Sequence, residues 1–354
     1  PKDKIVFFIP KRIYRFILGN SHIPSFFIPY SSLHNCPMEY NNINCRIRIG
    51  TRGSKLALAQ ALELQNYLKS AHEALMEPGA IEVIVIKTTG DKVQDRSLAE
   101  IGGKGLFIKE IEEALLNREI DLALHSMKDV ETNLTDGTGL ACILPREEIN
   151  DAFISNKAQN INELSYGSVI GTSSVRRAAL LKNKRPDLKM TVFRGNVNTR
   201  LSKLDRGDVD GTFLAVAGLK RLGLESRITK IMPLDEMPPA VAQGAIGAQC
   251  RLPKNKLDSQ LWEWLEAINH KDSEICVEAE RSMLKTLDGS CQTPIAGYAQ
   301  LGDQSELKLT GYVVSPEGAN LYKVEESSSR LDAVGIGRTV GERLKAEAGS
   351  DLVR

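Results

Sequence analysis

The chain has 354 residues, 42% of them apolar and 26% charged, and carries a formal net charge of +1. That length suits two or three domains of ordinary size, and the balance of apolar and charged residues is typical of a globular enzyme. Near neutrality excludes a global field for nucleic acid or a membrane surface, and no apolar run reaches the roughly 18 residues a membrane span needs.

Residues 1–45 differ in kind from the rest, with five basic and two acidic side chains among aromatics and prolines. Ile5–Ile9 is too short for a signal-peptide core, and no A-x-A site follows it. The stretch is expected to be an extension without catalytic use in a cytoplasmic protein. The alternative is an organelle-targeting remnant (plastid or mitochondrion), because such leaders are basic and poor in acids.

Regular patterning starts at Ile47. Residues 46–50 alternate as a strand, T-R-G-S turns, and Leu56–Leu68 is apolar at helical spacing. Ile81–Lys87 is β-branched between Pro78/Gly79 and Gly90, which predicts a buried strand. An amphipathic helix, Phe107–Leu116, follows G-G-K-G, and a short strand, Asp121–Leu124, runs into H-S-M-K-D. The middle of the chain repeats this order. Strand Ser168–Ile170 leads through G-T-S-S-V-R-R into a helix over Arg177–Lys182. Strand Lys189–Phe193 leads through R-G-N-V-N-T-R into a helix ending at Leu204, and strand Asp210–Val216 follows. Two α/β domains of like plan facing a cleft is the economical reading. Pro233–Pro239 reads as a crossing between them, and 240–248 as a small-residue packing segment. Beyond Lys271, helix Glu274–Leu287, a turn, strands Leu307–Val314 and Leu321–Glu325 and helix Leu331–Glu347 predict a smaller α+β domain. The expected division is 1–45 as the extension, 46–145 plus 243–265 as domain 1, 146–242 as domain 2 and 266–354 as domain 3.

Charge is concentrated locally. Between Gly171 and Arg221 there are twelve Lys/Arg and four acids. Arg176, Arg177, Arg194 and Arg200 fall at strand-to-helix turns, where open α/β sheets bind ligands and helix N-termini favour anions. Arginine forks suit carboxylates and phosphates, so several at such turns imply a polyanionic small molecule. Only Phe193 and Phe213 are aromatic there, which gives no stacking platform for nucleic acid. Ser173 and Ser174 can cap the following helix. Asp129, after Lys128 at a strand end, reads as a cap or ion-pair partner, or as the carboxylate that stabilises positive charge during a reaction. His125 has no nucleophile to serve and is read as structural. G-G-K-G (102–105) lacks the flanking residues of a phosphate loop.

Six cysteines (36, 45, 142, 250, 276, 291) form no C-x-x-C pair, and none of the five histidines stands at ligand spacing from them. Disulfide and metal roles are therefore not expected, and a reducing compartment fits. Five of the cysteines read as buried packing. Cys291 sits instead in L-D-G-S-C-Q-T-P-I-A-G-Y, a polar turn, where inert packing and a nucleophilic role stay open.

Nine segments in this order resemble the porphobilinogen deaminase family: I-R-I-G-T-R-G-S-K-L-A-L-A-Q-A, T-T-G-D, G-G-K-G-L-F-I-K-E, H-S-M-K-D, G-T-S-S-V-R-R, R-G-N-V-N-T-R-L-S-K-L-D, L-A-V-A-G-L-K-R-L-G, A-Q-G-A-I-G and G-S-C-Q-T-P. The resemblance implies two periplasmic-binding-protein-like α/β domains flanking a cleft plus a smaller C-terminal α+β domain. It implies a monomeric transferase that deaminates and polymerises four porphobilinogen molecules, then releases the linear tetrapyrrole hydroxymethylbilane with water. Its cofactor would be a dipyrromethane primer held through a thioether to Cys291. Lys128, Thr172, Ser173, Ser174, Arg176 and Arg177 would hold the cofactor carboxylates, with Asp91 and Lys104 nearby. Arg52, Ser54, Arg194, Arg200, Arg221 and Gln243 would serve the substrate, and Asp129 would be the catalytic carboxylate, placed between pyrrole nitrogens. Glu100 stands where some relatives have lysine, and Glu131–Thr132 where proline is common, so a contact to ligand would be missing and the loop after Asp129 loosened. A non-catalytic anion-binding protein of the periplasmic-binding type is the alternative, and it leaves Cys291 unexplained.

Overall fold

The computed structural model describes residues 47–92, 108–290 and 293–352. β1 (Ile47–Arg52) is followed by α1 (Lys55–Ala71), which Ser54 caps by accepting from Ala57 N at 3.1 Å. β2 (Ile81–Ile86), the short α2 (Thr89–Lys92), α3 (Lys109–Leu116), β3 (Leu122–Ser126) and β4 (Thr138–Ile143) complete the first segment. The chain then crosses to β5 (Asp151–Ile154), β6 (Val169–Gly171), α4 (Val175–Lys184), β7 (Lys189–Thr191), α5 (Val197–Asp205), β8 (Gly211–Ala215), α6 (Val216–Arg221) and β9 (Lys230–Ile231). It returns as β10 (Ile246–Arg251) and α7 (Lys256–Glu266).

The two sheets share one plan. The first has the order β2-β1-β3-β10-β4 and the second β7-β6-β8-β5-β9. In each, three parallel strands are followed by an antiparallel fourth, β10 or β5, which is the strand formed just after a crossing. Each sheet therefore receives one strand from the chain returning from the other, so the two crossings run side by side. The G-T echo has its origin here: Gly50 lies in β1 and Gly171 closes β6, equivalent strands of the two sheets.

The third unit is α8 (Lys271–Thr286), β11 (Ile295–Leu301), β12 (Glu306–Val314), β13 (Leu321–Ser329) and α9 (Ala333–Ala348), an antiparallel three-stranded sheet covered by two helices. Its core joins Val277, Met283, Val340 and Leu344 to Met127 and Val130 from the end of β3. Each of those fully buried aliphatic side chains contributes roughly 1.5–3 kcal/mol, so the third unit is bonded firmly to the first. The first sheet is filled by Ile49, Leu64, Leu68 and Leu122, the second by Phe153 and Phe213, whose ring centroids are 5.4 Å apart.

Several boundaries differ from the sequence expectation. The strand expected over Asp210–Val216 stops at Ala215, and Val216–Arg221 turns into α6. The strand at Ile246–Arg251 was hidden in a run of small residues, because it is buried on both faces and so shows no alternation. Gly297, read as part of a turn, lies within β11; a Cβ there would stand 2.5 Å from Met283 Cε and 3.0 Å from Thr310 O, so the strand packs closely under α8 at this glycine. Cys142, Cys250 and Cys276 are buried free thiols, and burial pushes Cys142 up to about 12 and Cys276 up to about 11, which makes them inert packing. Cys36 and Cys45 lie outside the described residues.

Candidate active site

A cavity of about 570 Å³ opens between the two larger sheets. Among the described residues lining it, eight are Lys or Arg and one, Asp129, is acidic. How the chain places them follows from local geometry. β3 ends in a 3-10 turn, Met127–Asp129. With three residues per turn, Met127 and Val130 fall on one side, and both are buried in the core against α8. Lys128 and Asp129 are thereby left to line the cavity.

α4 delivers Arg176 and Arg177 from its first turn, behind Ser174, whose hydroxyl accepts from Arg177 N at 3.4 Å. Ser173 Oγ accepts from Phe193 N at 3.2 Å, and Thr172 Oγ1 accepts from Ser174 N at 3.1 Å. These serines do cap and brace the turn. Ser173 and Ser174 also face the cavity; the buried Thr172 acts on the turn itself.

Both arginines are buried and converge on Asp151, which is fully buried at the start of β5. Arg177 donates from Nε and Nη2 at 3.0 and 2.6 Å, and Arg176 from Nη2 at 2.8 Å. Arg177 Nη1 also reaches Phe213 O at 2.7 Å, and Arg176 Nη1 reaches Pro238 O. Gln243, on the second crossing, donates to Asp151 Oδ1 and to Ile149 O, each at 2.8 Å, and accepts from Lys128 Nζ at 3.4 Å. The neighbouring guanidiniums hold the Asp151 carboxyl far below the usual carboxylate range despite its burial.

Further cations complete the lining. Arg200 donates from Nε to Gly195 O at 2.9 Å, and burial, then the charges of Arg177 and Arg194, push its guanidinium down to about 10. Lys128 is reachable from the cavity yet enclosed by protein, and burial pushes it down to about 8, opposed by Asp129 and reinforced by Arg177. Arg194, Arg52 and Ser54 line the same space. Arg221 lines it too, but its Nε donates to Glu63 on α1 at 2.8 Å and its Nη2 to Gly244 O at 3.1 Å. It therefore ties α6 to α1 and to the second crossing as well as facing the ligand space. Asp91 lies in α2, while its side chain, Lys104, Glu100 and Cys291 fall outside the described residues.

Sequence reasoning missed Asp151 and a second buried acid, Glu280 on α8. Glu280 takes Arg146 through both oxygens at 2.6 and 3.0 Å and accepts from Ala242 N and Ala299 N at 2.6 and 2.7 Å. It thus ties both crossings to the third unit. No local pattern marks either acid: Asp151 follows Glu147, Glu148 and Asn150, Glu280 stands among Glu278, Arg281 and Ser282, and each finds its partners far along the chain. His125 is structural: it is buried against Gln249 Oε1 at 3.0 Å.

Two like α/β sheets with a cationic cavity between them, lined among the described residues by one carboxylate, define an enzyme-type site for a small polycarboxylate. Residues 47–259 match the family "Porphobilinogen deaminase, dipyromethane cofactor binding domain", and residues 274–346 match "Porphobilinogen deaminase, C-terminal domain". The porphobilinogen deaminase, chloroplastic, of Oryza sativa subsp. japonica is 50% identical over 305 residues, 86% of this chain and 84% of that protein. The porphobilinogen deaminase of Paracoccus denitrificans is 50% identical over 307 residues, 86% of this chain and 96% of that protein. Among solved structures, a nutrient binding protein from Burkholderia cenocepacia bound to methionine is 15% identical over 62% of this chain and 89% of that chain, with a TM-score of 0.39, too slight a likeness to carry an argument. The chain belongs to the porphobilinogen deaminase family.

The site's donors fit a dipyrromethane with its acetate and propionate arms. The cavity is of ligand size, and the buried Nε of Arg176 has no hydrogen-bond partner among the described residues, leaving a charged donor for an added carboxylate.

Proposed function

We propose that this chain is a transferase that deaminates and polymerises four porphobilinogen molecules and releases hydroxymethylbilane by hydrolysis. The observation that carries the reading is the cavity in which, among the described residues, eight cations accompany the carboxylate of Asp129. When bound, the dipyrromethane would supply the free pyrrole carbon on which the first substrate unit is added and from which the chain is extended, and Cys291 is the residue proposed to hold it through sulfur. Lys128, Ser173, Ser174, Arg176 and Arg177 would hold its carboxylates, and Thr172 would brace that turn. Asp91 and Lys104 are proposed as further cofactor contacts. Arg52, Ser54, Arg194, Arg200 and Arg221 would take the carboxylates of the incoming substrate. Gln243 would act by bridging Lys128 and Asp151.

Asp129 is the proposed catalytic group. Loss of ammonia from the substrate leaves positive charge on a pyrrole ring, and a carboxylate beside the pyrrole nitrogens stabilises it and takes up or returns their protons. The surrounding arginines neutralise the carboxylate arms, so that Asp129 is left to meet the cationic ring. Domain assignment follows the same reading: 46–145 plus 243–265, 146–242 and 266–354, with 1–45 outside them, acting as a monomer. The rice relative is named chloroplastic, and the basic, acid-poor stretch 1–45 makes import by isolated chloroplasts the test of a plastid against the cytoplasm.

The decisive experiment is the intact mass of the purified protein. A covalent addition of two pyrrole units, absent in Cys291→Ser, is expected. Wild-type protein at its bare polypeptide mass that still forms tetrapyrrole would overturn the proposed attachment.

A further inference from the structure

The loop that follows Asp129 has neither helix nor strand before β4 begins at Thr138. The resemblance, in which Glu131 and Thr132 depart from a common proline, implies a loosened loop. It is nonetheless gripped from outside. Arg281, on α8, donates from Nη1 to Val130 O at 2.9 Å and from Nη2 to Glu131 O at 2.6 Å and Thr132 O at 3.4 Å. Three consecutive carbonyls directly after Asp129 thus converge on one guanidinium. The planar fork of arginine suits such a task, since its donors point in fixed directions, which a lysine ammonium does not offer. The guanidinium is half-buried, and burial pushes it down to about 10, so it is charged at neutral pH and its bonds to the carbonyls are charge-assisted.

The position on α8 matters. Glu280, the preceding residue, fixes Arg146 on the first crossing and Ala242 on the second. Successive residues of a helix point about 100° apart. One turn of α8 therefore holds the crossings with one side chain and the Asp129 loop with the next. Met127 and Val130 pack on the same helix through the core they share with Val277 and Met283. The side chains at 127 and 130 fix the depth of the turn, and the carbonyl grip fixes its rotation.

We propose that Arg281 is a positioning residue for Asp129: by holding the carbonyls of residues 130–132 it sets the direction in which the Asp129 carboxylate faces the cavity. This deepens the functional reading and rests on it for the role of Asp129. Arg281 is not among the described residues that line the cavity, so it acts through the loop.

The test uses the holoenzyme and the variant Arg281→Met, with Arg281→Lys carried through the same measurements should the methionine variant fold poorly. Expected are an adduct of wild-type mass, KM for porphobilinogen within about twofold of wild type and kcat lower by about tenfold or more. In an Asp129→Glu background, where the carboxylate is already displaced, the same change at Arg281 is expected to lower kcat by less than about twofold. Amide hydrogen exchange over residues 127–134 is expected to accelerate in the variant while the rest of α8 stays protected. Equal losses of kcat in both backgrounds, or unchanged exchange over 127–134, would overturn the proposal. Accelerated exchange together with normal turnover by Asp129→Ala would instead leave the grip standing and remove the catalytic role of Asp129.

Discussion

Asp151 accepts from Arg177 in a two-pronged bond, 3.0 Å from Nε to Oδ2 and 2.6 Å from Nη2 to Oδ1, with both side chains buried. Arg176 shares Oδ2 and Gln243 shares Oδ1. One carboxylate at the first crossing thus organises two guanidiniums of the second sheet and the glutamine of the second crossing. The cluster of two arginines and one aspartate keeps a net positive charge, while the arginines are fixed in place before any ligand carboxylate arrives.

Removing that carboxylate leaves two buried guanidiniums without their counter-charge. Asp151→Ala is therefore expected to lose about 3–5 kcal/mol of stability, read from urea unfolding of the cofactor-free protein. Stability within about 1 kcal/mol of wild type would mean that the backbone oxygens of Phe213 and Pro238 suffice to hold the pair.

Much of the plan was legible in the sequence because it rests on local signals. The strand-turn-helix units at G-T-R-G-S and G-T-S-S-V-R-R carry their caps and periodicity within a dozen or so residues, and Ser54 and Ser174 do cap α1 and α4. The arginines near strand ends follow from the same units. What escaped is what only the long-range path makes: β10 inserted between β3 and β4, Asp151 reaching Gln243, and Glu280 and Arg281 on one helix reaching both crossings and the Asp129 loop. An acid or arginine in an amphipathic helix reads as a surface charge until its distant partner is known. Arg221 shows the converse, since the same residue that reads as a ligand contact also bridges to Glu63.

Asp129→Ala should keep the covalent adduct and lose turnover by at least about a hundredfold, in the range general acid–base groups contribute. Intact mass and a single-turnover assay on one preparation check both halves. Turnover near wild type would remove Asp129 from the mechanism, and loss of the adduct would move its role to attachment of the primer.

Arg200 illustrates the conflict between stability and binding in a cationic cavity. Its charge is held close to Arg177 and Arg194, so Arg200→Met relieves repulsion and is expected to stabilise the cofactor-free protein by on the order of 1 kcal/mol. In the substrate role proposed for Arg200, the same change would remove a charge-assisted contact to a carboxylate, worth about 1.5–3 kcal/mol, so KM for porphobilinogen should rise about tenfold or more. Thermal melting and steady-state kinetics on one variant test the pair of effects. A lower melting point with unchanged KM would place Arg200 among the structural arginines.

His125 gives the fold an acid-sensitive point outside the cavity. Gln249 donates its amide to Glu112 Oε1 at 2.7 Å and Thr138 Oγ1 at 2.8 Å, which turns its carbonyl oxygen toward His125 and assigns the imidazole proton to Nε2. Burial pushes the imidazole down to about 4, from 6.5 in the unfolded chain. The unfolded state therefore binds the extra proton between those values, so this contribution is fully present above about pH 6.5, falls as the pH drops toward 4, and changes no further below that. The loss is on the order of 3 kcal/mol. In His125→Gln, which cannot titrate, the step should vanish. Urea midpoints of wild type and variant at pH 7, 5.5 and 4 give the comparison, and carboxylates such as Asp151, which titrate lower still, cancel in the difference. A gap between the two proteins that stays constant from pH 7 to pH 4 would show that His125 is not neutral and buried in solution.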